Sequence, residues 1–311
     1  MAGDSPRVGV VGLGPMGLPM AQALAEAGFG VVAWNRTSSA VDTLAARVAP
    51  RSVVGASTPA EVAAQCRVVI AMLPDLPHLL DRLDGPDGLR AGWSGVEASG
   101  PAEPPLLVVM STVSPVAVAD AAADLAREGI HLIDAPVSGG VIGAEERRLS
   151  IMVGGAAEDV VRVWPLFEAM GGTIEHLGPV GSGALAKACN QVVVAGSLVA
   201  ISEALTLARA GGLDLAQLVR LFTSGLAGSE LLNQKADRFL TRDFEGGGSA
   251  RNQVKDLDFV LAAGRRLGVE QPVSNLTRTM FVRLLDQGGG DLDHTAVIRA
   301  FGPPGTDGRR R

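Results

Sequence analysis

A chain of 311 residues has room for two domains of ordinary size, and its hydrophobic fraction of 47% is ample for a core in each. The formal net charge of −6 and the pI near 5.3 argue against nucleic acid as the main partner. The two cysteines, Cys66 and Cys189, lie in apolar sequence surroundings and predict no disulfide framework, as is typical of the reducing cytoplasm. No signal-peptide pattern precedes the first predicted strand, so we expect a cytoplasmic location and no membrane partner.

The chain begins with the pattern of a dinucleotide-binding unit. The apolar run Arg7–Gly12 predicts a buried parallel strand, and Leu18–Ala27 predicts a helix. Between them lies the pattern G-x-G-x-x-G, and Val31–Asn35 predicts a second strand. This order of strand, turn, helix and strand is the context that a dinucleotide site requires. A Gly-rich turn without a ligand is the alternative, and the complete context disfavours it.

The glycines of this turn have separate roles in such a site. Gly12 permits the tight turn, Gly14 lets the backbone approach a pyrophosphate, and Gly17 lets the helix pack close to the strand. The whole turn therefore supplies candidate cofactor-binding residues, which are Gly12, Leu13, Gly14, Pro15, Met16 and Gly17.

The end of the second predicted strand indicates which cofactor is bound. NAD-binding versions of this unit place Asp or Glu there to hold the ribose 2′-hydroxyl. This chain has Asn35, Arg36 and Thr37 instead, so no carboxylate repels a 2′-phosphate. Arg36 can pair with such a phosphate and Thr37 can donate its hydroxyl. The sequence therefore predicts NADP(H) in preference to NAD(H). The alternative is that Arg36 is an ordinary exposed residue at a helix entry.

Strands and helices continue to alternate, which predicts an α/β fold with a Rossmann-type doubly wound sheet. Further strands are predicted at Arg67–Leu73, Leu106–Met110, Ile130–Asp134, Leu149–Val153 and Ile174–Leu177, and further helices at Pro59–Gln65 and Ala157–Met170. Hydroxyl residues follow Met110, at the strand end where doubly wound sheets bind ligands. Ser114, directly before Pro115, is equally explained as a helix N-cap. The Gly-, Pro- and Ser-rich stretch Ser94–Pro105 predicts a loop.

A serine and two glycines follow the predicted strand that ends at Asp134. Successive glycines expose backbone N–H groups that can surround an anion. Ser138, Gly139 and Gly140 are therefore candidates for holding a substrate carboxylate.

The stretch Gly181–Gly212 predicts one long helix that is apolar on every side over Ala188–Ser202. Such a helix must be buried in a large core or in a membrane. The membrane interpretation is weak, because Lys187, Asn190 and Gln191 stand at one end. These three residues share a helix face, and a buried ammonium needs an anionic or carbonyl-like partner. Lys187 is thus the first candidate for chemistry, although a lysine reaching from the helix end into solvent is the alternative.

Beyond Gly212 the periodicity is helical, which predicts an all-α second domain. The predicted helices are Leu215–Phe222, Leu231–Phe239, Gln253–Leu267 and Val273–Gln287. A surface salt bridge is the interpretation that spacing favours for Lys255. We expect a Rossmann domain at 1–180 and a helical domain at 181–303, with a long interdomain helix at about 182–210 and a disordered tail at 304–311.

Four motifs together resemble those of the β-hydroxyacid dehydrogenase family. They are GLGPMG at 12–17, DAPVSGG at 134–140, GSGALAKACNQ at 181–191 and KDLDFVL at 255–261. The combination is specific although each motif alone is not, and the resemblance covers nearly the whole chain. It implies a Rossmann domain joined by a long helix to an all-helical domain, in homodimers or homotetramers.

The resemblance also implies roles for individual residues. Lys187 matches the catalytic lysine of the family and Asn190 its partner amide, while Gln191 falls among the substrate-binding residues. The loop Ser138–Gly140 matches the substrate-carboxylate loop. Further cofactor-binding positions are implied at Leu73, Pro74, Thr112 and Lys255.

Within the family, the tartronate semialdehyde (2-hydroxy-3-oxopropionate) reductase branch is the most similar in its motifs. Asn190-Gln191, the segment 224–229 and Asp293-His294-Thr295 carry that similarity. Arg147 departs from the usual turn glycine, and Gly248 stands where the branch tends to have an aromatic residue. Both departures fall near the substrate mouth implied by the resemblance, so they bear on the choice of substrate.

The sequence therefore predicts an NADP-dependent oxidoreductase. The expected reaction is the reversible reduction of a small carboxylated aldehyde, of the 2-hydroxy-3-oxopropionate, glyoxylate or succinic semialdehyde type, or the oxidation of a 3-hydroxy acid such as 3-hydroxyisobutyrate. Lys187 is the expected general acid, oriented by Asn190. The alternatives are an imine reductase, which resembles this architecture but commonly has Asp or Tyr in place of the lysine, and a non-catalytic dinucleotide-binding scaffold. No metal site is predicted.

Overall fold

The computed structural model describes residues 7–50, 52–94 and 103–301. The tail predicted at 304–311 and most of the loop predicted at Ser94–Pro105 lie outside these residues. The chain divides into two compact units, Met1–Lys187 and Ala188–Arg311. This division falls inside a helix, seven residues beyond the domain boundary expected from the sequence.

The first unit is built on one sheet. Its strands are β1 (Arg7–Val11), β2 (Gly30–Trp34), β3 (Val53–Gly55), β4 (Val68–Ala71), β5 (Leu106–Val109), β6 (His131–Asp134), β7 (Val137–Ser138), β8 (Leu149–Gly154) and β9 (Gly171–Gly178). The strand order is β3-β2-β1-β4-β5-β6-β8-β7, with β9 also paired to β8. The pairs from β3 to β6 are all parallel, whereas β8 runs antiparallel to β6 and β7. This confirms the predicted Rossmann-type sheet.

Helices cover both faces of this sheet. They are α1 (Gly17–Glu26), α2 (Ser39–Arg47), α3 (Pro59–Gln65), α4 (Leu76–Leu83), α5 (Leu89–Ser94), α6 (Pro115–Ala126), α7 (Gly140–Glu145) and α8 (Ala157–Met170). Successive strand side chains point to opposite faces. In β5, Leu106 and Val108 therefore join the core under α1, α2, α7 and α8, while Leu107 and Val109 join the core under α3 to α6. Two apolar layers thus fix the sheet, and the doubly buried strands are what the continuous apolar runs predict.

Several elements of the first unit differ from the sequence predictions. The strand β3 was not predicted, because it is a three-residue edge strand with Val54 exposed. The helix α2 buries only Leu44, so its apolar stripe is too thin to recognise. Ser94 ends α5 instead of opening a loop, and β2 stops at Trp34, which leaves Asn35 outside the strand.

A continuous helix, α9 (Ser182–Ala210), runs from the first unit into the second. It is long and apolar enough to cross a membrane by length and composition alone, with a mean hydropathy of 1.7 over its most apolar window. The polar side chains of Lys187, Gln191 and Ser202 are nevertheless buried on it. Buried polar groups of this kind are what a core helix with specific partners shows.

The described residues of the second unit form α-helices, one 3-10 helix and the segments that connect them. After α9 come α10 (Leu215–Ser224), α11 (Glu230–Thr241), α12 (Ala250–Leu267), α13 (Pro272–Asp286) and a 3-10 helix (His294–Phe301). The four predicted helices are confirmed, each with small shifts at its ends. The helix α12 begins at Ala250 because the Ser249 hydroxyl accepts from the Asn252 N–H at 3.3 Å. The 3-10 helix was not predicted.

The second unit contains an ion pair between the partly buried Lys235 on α11 and the fully buried Asp293. The Lys235 Nζ lies 2.7 Å from Asp293 Oδ2, and Thr295 donates its N–H and hydroxyl to the other oxygen. Burial raises the pKa of Asp293, but the charge of His294 and the hydrogen bonds from Lys235 and Thr295 outweigh it and hold that pKa below its ordinary value. The pair fastens the start of the 3-10 helix to α11.

We expect Lys235→Met to destabilise the protein by about 1–3 kcal/mol, because it removes the cation that is hydrogen-bonded to the buried Asp293 carboxylate and leaves only the more distant Arg238 and His294. Urea unfolding followed by circular dichroism measures the change. Arg278→Met is the matched control, since the Arg278–Asp258 pair is largely exposed and such pairs contribute about 0–1 kcal/mol. Equal losses of unfolding free energy in the two variants would contradict the stabilising role assigned to the Lys235–Asp293 pair.

Candidate active site at the carboxyl edge of the sheet

The Gly-rich turn after β1 has no room for side chains at two of its glycines. Gly12 adopts a φ of 101°, and a Cβ there would collide with the Met72 carbonyl. A Cβ at Gly17 would collide with the Gly12 carbonyl, which is the close packing of helix on strand that the motif predicts. Gly14 faces open space instead. The first turn of α1 has no side-chain cap, so this end of the helix suits a phosphate.

Asn35 ties the turn to the end of β2. Its Oδ1 accepts the Leu13 N–H at 2.9 Å, and its Nδ2 donates to the Thr37 carbonyl at 3.0 Å. The amide is therefore already bonded to backbone on both sides. Arg36 and Thr37 are exposed. A second cation stands at the same strand end, because the Arg82 guanidinium lies 5.6 Å from the centre of the Trp34 ring.

The other cofactor-binding residues predicted in the first unit lie at the ends of neighbouring strands. Leu73 and Pro74 follow β4, and Thr112 follows β5. Buried Ser111 joins the two segments, because its hydroxyl accepts the Leu73 N–H at 2.9 Å. Parallel strands bring their carboxyl ends to one edge of the sheet, so the structure gathers these residues with the Gly-rich turn at that edge. Lys255, the remaining predicted cofactor residue, belongs to the second unit.

The predicted substrate loop follows β6 and crosses to α7. Ser138 ends β7, while Gly139 and Gly140 have φ values of 128° and 65°, which favour glycine. No atom lies within 4 Å of the position of a Cβ at Gly140, so this side of the loop is open. A small anion has space to meet the backbone there.

Asp134, at the end of β6, holds the start of α9. Its carboxylate is fully buried and accepts the Gly181 N–H at 2.7 Å and the Ala184 N–H at 2.6 Å. Burial raises the pKa of Asp134 to about 6, against the lowering effect of these backbone hydrogen bonds. The first turn of α9 is therefore fixed at the carboxyl edge of the sheet.

Lys187 lies one turn further along α9 and is only 8% exposed. The alternative of a lysine reaching into solvent is therefore wrong, because its side chain is enclosed by protein. Asn190 and Gln191 follow three and four positions later, on the same helix face as predicted. Cys189, expected in apolar surroundings, is exposed, whereas Cys66 is buried and its pKa is raised to about 12 by that burial.

In the second unit, Gln191 is bonded to α12. Its Nε2 donates to Asp256 Oδ2 at 2.7 Å, and the pair is buried. The Lys255 Nζ lies 3.4 Å from Asp256 Oδ1 and 5.4 Å from the centre of the Phe259 ring. The sequence favoured a surface salt bridge for Lys255, whereas its partner Asp256 is the adjacent residue and is buried. Sequence reasoning missed Asp256 as the residue that connects Gln191 with Lys255.

The two departures from the family pattern differ in their surroundings, and no steric requirement explains the glycine at 248. Arg147 adopts a φ of 56°, the left-handed conformation for which glycine is usual, and its guanidinium pairs with Glu26. Gly248 accepts the His294 N–H at its carbonyl, at 2.7 Å, and a Cβ there would lie 3.5 Å from the His294 ring. His294 thus borders the position where an aromatic residue was expected.

Comparison with known proteins identifies the family of the chain. Residues 7–178 match the family described as the NAD-binding domain of 6-phosphogluconate dehydrogenase. Residues 181–301 match the family described as the NAD-binding domain of NADP-dependent 3-hydroxyisobutyrate dehydrogenase. The chain belongs to the β-hydroxyacid dehydrogenase family. It is thus an NAD(P)-dependent enzyme of that family, as the motifs predicted.

Individual members of the β-hydroxyacid dehydrogenase family align over almost the whole chain. The 2-hydroxy-3-oxopropionate reductase of Escherichia coli is 33% identical, with 95% of this chain and 97% of the relative covered. The NAD-dependent L-serine dehydrogenase of Pseudomonas aeruginosa is 34% identical, with 96% and 98% covered. A structure of Mycobacterium tuberculosis 3-hydroxyisobutyrate dehydrogenase with L-serine has a TM-score of 0.79 and 29% identity, covering 96% of this chain and 100% of that one.

The Gly-rich turn offers a matched pair of substitutions. We expect Gly14→Ala to leave the melting temperature of the cofactor-free protein nearly unchanged, because the position is open, and to weaken dinucleotide binding by at least about tenfold through the loss of close approach. Gly17→Ala should lower the melting temperature itself, because its Cβ collides with the Gly12 carbonyl. Calorimetric titration with NADPH and NADH, beside thermal melting, measures both effects. Undiminished binding by the Gly14 variant would contradict the assigned phosphate approach.

Proposed function

We propose that this enzyme reversibly reduces a small carboxylated aldehyde to a hydroxy acid, with NADPH preferred over NADH. The observation that carries the proposal is the burial of Lys187. Asp134 anchors the helix of Lys187 at the carboxyl edge of the sheet. The Gly-rich turn and the Ser138–Gly140 loop lie at the same edge. A lysine buried at the ligand-binding edge of a doubly wound sheet suits proton transfer to a substrate.

In this proposal each group of the chain has one task. The nicotinamide group supplies the hydride when the cofactor is bound. Negative charge develops on the carbonyl oxygen, and the Lys187 ammonium donates a hydrogen bond and then its proton there. Asn190 orients Lys187 or the substrate. In the oxidising direction, neutral Lys187 takes the hydroxyl proton back.

The substrate carboxylate would bind at Ser138, Gly139 and Gly140. Holding the carboxylate fixes the distance to the reacting carbon, so the loop acts as a positioning device. Gln191 is also assigned to substrate binding, and within the second unit its amide is oriented by the hydrogen bond to Asp256.

The relatives support a substrate of this class. The names of the two curated relatives give 2-hydroxy-3-oxopropionate and L-serine, which are both three-carbon carboxylates with an oxygen at the carbon beyond C2. Glyoxylate, succinic semialdehyde and 3-hydroxyisobutyrate complete the proposed range. One methylene in a pocket changes preference by only about 1–3 kcal/mol, so members of this range are expected to compete.

The preference for NADP(H) rests on the charges at the end of β2. Arg36 is exposed, with Thr37 beside it, and Arg82 stands over Trp34 at the same strand end. The residues 35–39 include no carboxylate that would repel a 2′-phosphate. The amide of Asn35 is bonded to Leu13 and Thr37, so it contributes by shaping the turn.

Imine reduction is the second candidate, and a non-catalytic scaffold the third. The presence of Lys187 together with an open loop for a carboxylate argues against imine reduction, since neither is needed for a cyclic imine. A non-catalytic scaffold has no chemical use for a lysine buried at the ligand-binding edge of the sheet. We keep both as outcomes of the substrate test.

We also propose a homodimer or homotetramer in the cytoplasm, with residues 1–180 as the cofactor domain and 181–303 as the helical domain. Exposed apolar side chains of the second unit support self-association, among them Val193 and Leu207 on α9 and Val273 and Leu276 on α13. Apolar surface of this kind is typical of contact sites.

Wild-type protein is expected to oxidise NADPH with at least one of the aldehyde acids named above and to prefer it over cyclic imines. Lys187→Ala should lower kcat by about 10²–10⁴-fold, because it removes the general acid, with little change in the Kd for NADPH. Glu203→Ala, on an exposed position of the same helix, is the control and should retain activity. Steady-state kinetics across the panel measures these changes. Preference for the imine, or near wild-type kcat in the Lys187 variant, would reject the proposal.

For the cofactor, we expect kcat/KM to favour NADPH over NADH by at least about tenfold, because a charge-assisted arginine–phosphate bond contributes roughly 1.5–3 kcal/mol. Arg36→Ala should erase this preference, and Asn35→Asp combined with it should favour NADH. Arg47→Ala, a nearby exposed arginine on α2, should leave the ratio unchanged. Initial rates with each cofactor give the ratio, and equal use of the two by wild-type protein would show that Arg36 does not meet the phosphate.

A further inference from the structure

The cap of α9 comes from a distant part of the chain. Other helices with side-chain caps in the described residues use a neighbouring residue, as Ser114 does for α6 and Asp214 for α10. At α9 the two N–H groups of Gly181 and Ala184 are instead bonded by the Asp134 carboxylate, from a strand 47 positions before Gly181. This cap therefore does more than begin a helix, because it fixes the helix to the sheet.

The first turn of α9 packs closely against the sheet, with no room for side chains at two glycines of the contact. A Cβ at Gly183 would collide with the carbonyls of Met152 and Asp134, and a Cβ at Gly154 would lie 2.6 Å from Asp134 Oδ1. Gly181 has a φ of 94°, and a Cβ there would lie 3.2 Å from the Pro115 carbonyl. The first turn of α9 thus lies close to the backbone of β6 and β8 and to Pro115, and close packing opposes its displacement toward them.

The same aspartate also begins the loop that is proposed to hold the substrate carboxylate. Asp134 pairs with Gly154 of β8, and Ser138, four residues further on, pairs with Ser150 of the same strand. The Ser138–Gly140 loop and the first turn of α9 are thus both held in place by contacts with β6 and β8. Lys187 follows Ala184, the second residue bonded by Asp134, by three positions.

We propose that Asp134 is a positioning residue that sets the Lys187 ammonium against the Ser138–Gly140 loop, so that proton donor and substrate carboxylate keep a fixed distance. This inference rests on the role proposed above for Lys187. The carboxylate is suited to the task, since it is an acceptor only and can take both N–H bonds at a helix N-terminus, where negative charge is stabilised. An amide of the same shape offers a single acceptor oxygen.

The test uses Asp134→Asn in the full-length protein, alone and combined with Lys187→Ala. Asp159→Asn is the matched control, because Asp159 is another buried carboxylate of the first unit, bonded to His131 at 2.7 Å. We expect Asp134→Asn to lower kcat roughly ten- to hundredfold, as small misplacements of a catalytic group do, with the Kd for NADPH within about threefold. In the Lys187→Ala background the same change should have little effect, because there is no ammonium left to place.

A second measurement does not depend on activity. Hydrogen exchange at the amides of Gly181 and Ala184 should accelerate in Asp134→Asn and stay unchanged in Asp159→Asn. If the Asn variant does not fold, Gly181→Ala shifts the same turn through the Pro115 carbonyl while keeping the carboxylate, and it should show the same loss of kcat and the same dependence on Lys187.

The outcomes separate the two proposals. Wild-type kcat in the Asp134 and Gly181 variants, an equal loss with and without Lys187, or unchanged amide exchange would overturn the positioning role while leaving Lys187 as general acid. Near wild-type kcat in Lys187→Ala alone would instead overturn the proposed function. A loss that requires Lys187, together with faster exchange at Gly181 and Ala184, supports the positioning role.

Discussion

The structure depends on one close contact, in which the first turn of α9 meets the carboxyl edge of the sheet with backbone against backbone. Glycine at 154 and 183 makes the approach possible, and the buried carboxylate of Asp134 satisfies the N–H groups that the helix start would otherwise leave unpaired. Burial of that carboxylate is unfavourable, as its raised pKa shows. The contact persists because each carboxylate oxygen accepts a backbone N–H and no side chain separates the two backbones.

A second contact of the same kind forms the cofactor turn. Gly17 places α1 directly on the Gly12 carbonyl, and Asn35, which follows the neighbouring strand β2, accepts the Leu13 N–H. In both contacts, glycines allow two backbone segments to approach closely, and a polar side chain accepts hydrogen bonds from backbone N–H groups. Both contacts lie at the carboxyl ends of parallel strands. Closely packed backbone with hydrogen-bonded polar groups therefore gathers at this edge of the sheet. Rigid elements of this sort hold reacting groups more accurately than free loops do.

In the second unit, no sheet fixes the order of the helices in the described residues, so other contacts must do so. An ion pair between partly buried Lys235 and buried Asp293 connects α11 to the 3-10 helix. A buried hydrogen bond between Gln191 and Asp256 connects α9 to α12. Such polar contacts are weak sources of net stability but costly to break on one side. They therefore select one arrangement of helices, and the second of them also orients Gln191.

The sequence by itself determined the features that depend on local pattern. The Gly-rich turn, the parallel strands as continuous apolar runs, the long apolar helix and the helical second domain all follow from the order of residues over short windows. The motif at 134–140 and the lysine on α9 were likewise recognisable, and the family follows from them. Elements with few buried side chains, such as α2 and β3, were missed because they show no apolar period.

Only the tertiary structure decided which distant polar groups meet. Asp134 and Gly181 are 47 positions apart, Lys235 and Asp293 are 58 apart, and Gln191 and Asp256 are 65 apart. No periodicity relates such residues, because their contacts arise from how the elements pack. Asp134 is within a motif that the sequence displays plainly, yet its bond to the helix of Lys187 exists only once β6, β8 and α9 are folded together.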